Sequence, residues 1–89
     1  MNYFRNPDVK TTLMPDGHVV LFSTKTEWAQ ILNPKGALVW EFCDGKMSLD
    51  EIVEQLAVLL AADNKAQLIA DVTSIIEELC KNGLILEKS

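Results

Sequence analysis

The chain has 89 residues, nearly half of them apolar, and a formal charge of −5 from eight Lys and Arg against thirteen Asp and Glu. That length supports one domain, 1–89, with a single modest core, and its apolar runs are too short to span a bilayer. The acidic balance argues against a duplex binder, which gains most of its affinity by neutralising phosphates with basic side chains.

Asp8 and polar neighbours stand where a signal peptide needs an apolar stretch, so no export is expected. Cys43 and Cys80 are far apart and fit neither a disulfide framework nor a metal spacing. They read as small core residues in a reducing, cytoplasmic setting.

Val9 to Met14 and His18 to Ser23 are predicted strands joined by Pro15-Asp16-Gly17, where Pro presets its backbone angle and Gly accepts positive φ. The run Val19-Val20-Leu21-Phe22 predicts a central strand covered on both faces. Glu27 to Leu32 predicts a third strand, with Trp28, Gln30 and Leu32 on one face and Glu27, Ala29 and Ile31 on the other. Its mixed character suits a sheet edge.

Asn33 and Pro34 form a helix start, cap and first position, for a helix over Pro34 to Cys43 that is apolar nearly all round. Gly45 is expected to end it. Ser48-Leu49-Asp50-Glu51 is a capping box opening a second helix to about Ala61, with Leu49, Ile52, Val53, Leu56, Leu59 and Leu60 facing inward. Asp63-Asn64 breaks the chain again. A third helix is predicted over Ala66 to Lys81, closed by Gly83, and its apolar positions exceed one narrow stripe. Leu84-Ile85-Leu86 reads as an extended tail able to pack back. The fold expected is α+β: a small antiparallel three-stranded sheet followed by three helices, of winged-helix-turn-helix outline.

Little in the chain can carry catalysis. His18 stands beside a turn with no acidic or thiol partner evident nearby, and Asp50, Glu51 and Glu54 are explained by a helix start. No zinc spacing, phosphate loop or nucleophile elbow is present. A non-enzyme without cofactor or metal is expected. Binding has better footing, because an edge strand leaves N–H and C=O groups free to pair with another strand.

The pattern Leu32-Asn33-Pro34-Lys35-Gly36-Ala37, then apolar residues and Trp40, Cys43-Asp44-Gly45 and Ser48-Leu49-Asp50-Glu51-Ile52, resembles the PqqD-like family. The likeness runs from the first hairpin to Asn82-Gly83-Leu84. Members are recognition elements that bind the leader of a ribosomally made precursor peptide and present it to a modifying enzyme, often a radical S-adenosylmethionine enzyme. The resemblance implies that the leader pairs with Glu27, Trp28, Ala29, Gln30, Ile31 and Leu32. It also implies a helix wall drawn from Leu68, Val72, Ile75, Ile76 and Leu79. Lys35 stands where Thr is frequent, and the Asn-Pro-x-Gly opening is less like members dedicated to pyrroloquinoline quinone synthesis than like the broader group. A recognition protein for another peptide pathway is therefore favoured, with quinone-cofactor assembly the narrower option.

Two rival readings make different demands. A winged-helix DNA binder needs a basic face, and the third helix carries Asp71, Glu77 and Glu78 instead. A dimerisation module would use the same strand edge to pair two copies. No nucleic-acid or membrane partner is expected.

Overall fold

The computed structural model describes residues 2–88. In chain order the elements are β1 (Asn2–Arg5), β2 (Val9–Leu13), β3 (Val19–Ser23), β4 (Ala29–Leu32), α1 (Pro34–Phe42), β5 (Asp44–Ser48), α2 (Leu49–Leu59), α3 (Lys65–Lys81) and β6 (Ile85–Lys88). The class is α+β, but the strands form two antiparallel sheets, β2-β3-β4 and β5-β1-β6, where one sheet was expected.

The first hairpin follows its turn chemistry. Gly17 takes φ of +89°, and the Asp16 carboxylate accepts the His18 N–H at 3.0 Å. His18 Nδ1 also lies 3.2 Å from Asp16 Oδ1, so the histidine has the acidic neighbour that the sequence reading missed. In β3 only one face is covered: Val19, Leu21 and Ser23 are buried, whereas Phe22 on the opposite face is exposed. The expectation of two occupied faces fails because no layer lies over the outer side of this hairpin.

The third predicted strand is shorter than expected. Glu27 has φ of +59°, a left-handed conformation that a strand residue does not adopt. Its N–H donates to the Ser23 carbonyl at 2.9 Å, while the Ser23 N–H donates to the Trp28 carbonyl at 2.8 Å. Glu27 and Trp28 therefore belong to the turn, and pairing begins at Ala29.

α1 starts as expected, with Asn33 Oδ1 accepting the Gly36 N–H at 2.8 Å and Pro34 in the first turn. Its end differs. The helix stops at Phe42, and Gly45, with φ of +85°, lies inside β5. The terminal carbonyls of Trp40 and Glu41 accept hydrogen bonds from the Arg5 guanidinium at 3.0 and 2.8 Å. The last turn of α1 holds no basic residue, so β1 supplies the cation its negative end favours.

The capping box of α2 is complete, with Ser48 and Glu51 bonded reciprocally. Asn64 caps α3 through the Gln67 N–H, as the break at Asp63-Asn64 suggested. Leu59 and Leu60 are exposed, against expectation, because α2 ends at Leu59 just where its stripe would have continued. The tail packs back as β6. It pairs with β1 in register from Arg5 opposite Ile85 to Asn2 opposite Lys88, with Leu84 and Ile85 fully enclosed. Beside it, the Asn6 side-chain amide donates to the Gly83 carbonyl across 77 positions of chain.

One core joins the layers: Val19, Leu21 and Leu32 from the hairpin sheet, Val39 and Trp40 from α1, Ile52, Val53 and Leu56 from α2, and Leu68, Val72, Ile76 and Leu79 from α3. Burying each such aliphatic side chain contributes about 1.5–3 kcal/mol. Trp40 adds a polar tie, donating from Nε1 to Thr11 Oγ1 at 3.3 Å.

Candidate functional site

β4 has a neighbour on one side only, since the sheet order is β2-β3-β4. Main-chain groups in an antiparallel pair alternate between facing the partner and facing away. The Ser23–Trp28 hydrogen bond fixes the phase of that alternation in the register Val19↔Leu32 to Phe22↔Ala29. Gln30 and Leu32 therefore bond to β3, and Ala29 and Ile31 turn their N–H and C=O groups to the open edge.

The two outer strands of this sheet differ in a telling way. β2 carries Lys10, Thr11 and Thr12, and a charged, polar strand is how proteins blunt an edge against pairing. β4 is Ala29-Gln30-Ile31-Leu32, with no charge at all. Ile31 is 64% exposed there.

Beside β4 runs a depression of about 170 Å³, lined by β4, the start of α1 and α3. Most of its accessible lining is polar; Ile31 and the half-buried Ile75 supply its apolar surface over the buried Leu32 and Leu79, and Glu78 is its one charged residue. Gly36 also lines it: a Cβ there would stand 3.3 Å from Asn33 Oδ1 and 3.4 Å from Leu32 Cβ, crowding the cap. One end is tied across, because Asn82 Nδ2 donates to Gln30 Oε1 at 3.0 Å and links α3 to the strand.

The depression does not stop at β4. A second hollow, lined by Asn33, Lys35, Asp71, Ser74 and Ile75, shares Asn33 and Ile75 with the first. A third, lined among others by Leu60, Ala62, Gln67 and Leu68, shares Lys35 and Asp71 with the second. The Lys35 ammonium bridges α1 to α3 by pairing with Asp71 Oδ2 at 3.1 Å, and Gln67 Nε2 donates to Asp71 Oδ1 at 2.9 Å. Those two donors hold the Asp71 carboxyl below the usual carboxylate range, Gln67 foremost.

The predicted site residues fall into three groups. Ile31, Leu32, Gln30, Ile75 and Leu79 meet at the depression, and Ala29 stands on the same edge. Leu68, Val72, Ile76 and Leu79 are buried, Val72 and Leu79 completely, so the sequence-based helix wall is core apart from Ile75, with Leu79 only flooring the depression. Val72→Glu would place a charge in the interior and not in a groove. Glu27 and Trp28 precede the strand in the turn, and neither lines the depression. The sequence reading left out Asn33, Gly36, Glu78 and the Gln30–Asn82 tie. Glu78 was legible in principle, since it follows Ile75 by three positions and so shares its helix face.

Among the described residues no group of His, Cys, Asp and Glu is placed to hold a metal ion. Cys43 is fully enclosed, and burial pushes its thiol up to about 12, with the Arg5 cation opposing in part. Cys80 is half-buried and its thiol is raised as well, mainly by burial. Neither is a poised nucleophile.

Three helices and two small antiparallel sheets, with the open edge of β4 beside a groove against α3, define the class: a small α+β domain with a strand edge next to a furrow. The chain belongs to the PqqD family, whose model, coenzyme PQQ synthesis protein D, matches residues 18–85. Two solved structures share the fold. TbiB1 in complex with the TbiA(beta) leader peptide aligns with a TM-score of 0.79 at 18% identity, covering 97% of this chain and 98% of that one. Lasso peptide synthetase B1 complexed with the leader peptide aligns with a TM-score of 0.80 at 17% identity, covering 98% and 100%. At these identities the likeness is one of fold. Comparison with curated protein sequences gives no match.

Proposed function

We propose that this chain is a non-catalytic recognition domain that binds the leader of a ribosomally made precursor peptide as an added strand on β4. The observation that carries the reading is the uncharged, one-sided β4 edge lying directly over the furrow formed with α3. Main-chain bonds to Ala29 and Ile31 supply affinity, and alternate side chains entering the furrow supply selectivity. The family membership and the leader-bound state of both similar structures support this choice of ligand.

The mechanism is tethering. A bound leader holds the variable segment that follows it at high effective concentration near a modifying enzyme, which in this class of pathway is often a radical S-adenosylmethionine enzyme. Ordering a disordered leader offsets part of the contact energy, so a complex near −8 to −9 kcal/mol, about micromolar to submicromolar, is expected. Assembly of pyrroloquinoline quinone is the narrower version of the same role. The hairpin β2–β3 and the pair α2–α3 follow a winged-helix outline, but α3 exposes Glu77 and Glu78 where a duplex reader needs cations. A homodimer through β4 would compete with the leader for one edge.

The test is titration of the ¹⁵N-labelled protein with leader peptides of precursors encoded beside it. Amide shifts concentrated at Ala29–Leu32 and along the Ile75–Leu79 turn of α3 are expected. A saturable shift pattern confined to another surface would overturn the strand-addition reading.

A further inference from the structure

Most polar groups along the α3 furrow are already engaged, and of its charged groups only Glu78 has no partner among the described residues. Asn64 and Asn33 cap helices, Gln67 and Lys35 both bond to Asp71, and Gln30 is held by Asn82. Glu78 is exposed in the furrow, and among the described residues it has neither an ion-pair partner nor a side-chain hydrogen bond. Lys81, three positions on, is not paired with it. The furrow therefore offers an incoming strand three things: an open backbone edge, apolar surface on Ile31 and Ile75, and one unspent carboxylate beside them.

We infer that the cognate peptide is cationic: it places a Lys or Arg against Glu78 within a residue or two of a large apolar side chain seated on Ile31 and Ile75. This rests on strand addition at β4 and names the class of peptide that such addition selects. A neutral or acidic peptide would leave the carboxylate partly desolvated and unpaired, or force like charges together, and either outcome is unfavourable. The neighbouring acidic residue Glu77 and the −5 formal charge of the chain steer the same kind of ligand.

The experiment uses a display library of random nine-residue peptides panned against the full chain. Selected peptides are then titrated into the ¹⁵N-labelled protein and into its Glu78→Gln and Glu78→Lys variants. Lys or Arg should be enriched at a fixed offset from an apolar residue. Affinity should fall about three- to tenfold in Glu78→Gln, as for a partly exposed pair. It should fall further in Glu78→Lys and return when the peptide's basic residue is changed to Glu. Peptides that shift Ala29–Leu32 yet show no basic bias, or bind Glu78→Gln unchanged, would overturn the cationic assignment and leave strand addition standing. Peptides that leave those amides unmoved, or a library that yields no binder, would overturn both.

Discussion

At the residue scale, Cys43 shows how little of this protein is built for chemistry. Its thiol ordinarily ionises near 9.0 and here is pushed up to about 12 by burial. The folded chain thus keeps a proton that the unfolded chain releases, so the stability it contributes is whole below pH 9 and is lost as pH rises from there toward 12. The loss reaches about 1.4 kcal/mol per pH unit in that window. At pH 8 native Cys43 should stay unlabelled by iodoacetamide, as followed by mass spectrometry, and should react as soon as denaturant opens the core. Labelling of the native thiol at the rate of an exposed cysteine would show that the core around α1 is not closed.

At the element scale, β4 separates the donors that hold the fold from those that face outward. Ile31 turns its N–H to the open edge, and a proline is tolerated on an edge strand when that group is not part of the ladder. Ile31→Pro should therefore leave the circular dichroism spectrum native while weakening leader binding about tenfold or more, measured calorimetrically. Gln30→Pro, one position away, removes a bond to β3 and should destabilise the hairpin sheet instead. Equal behaviour of the two variants would mean that the phase of the alternation is wrong.

The elements themselves were largely legible, because their signals are local. Asn33-Pro34, the Ser48–Glu51 box and the Pro15-Asp16-Gly17 turn each act over four residues or fewer, and each stands where it was read. The second sheet was not legible. β1 and β6 are four residues each and meet only through long-range pairing, and β5 contains Gly45 at positive φ, which reads as a helix stop. The site was half legible for a related reason. Apolar spacing on α3 identifies a broad stripe, but Val72 and Ile75 differ in burial because α2, α1 and β6 pack on α3 and cover one flank of that stripe. Periodicity alone cannot say which flank another element will cover.

At the scale of the whole molecule, β1 is the joint. It lies between β5 and β6, and its Arg5 closes the end of α1. Arg5→Ala removes both guanidinium bonds; the Trp40 carbonyl keeps the Cys43 N–H, and the Glu41 carbonyl is left to water. The expected cost is about 1–2 kcal/mol, a fall of roughly 5–10 °C in Tm for a domain of this size, read by thermal unfolding. Leader affinity measured well below that Tm should not change, since β4 lies in the other sheet. A loss of affinity at constant fold would show that the two sheets are coupled.

The pairing of β1 with β6 also sets the order in which this protein comes into being. A ribosome delivers β1 first, yet one of its two neighbours, β6, follows the entire helical part of the chain. During synthesis β1 can meet β5 once the chain has passed Ser48, but its other flank stays bare until β6 follows α2 and α3. Completion of the fold is therefore a late event, postponed until the far end of the domain leaves the exit tunnel. A nascent chain stalled before β6 would carry a finished hairpin sheet on an unfinished body.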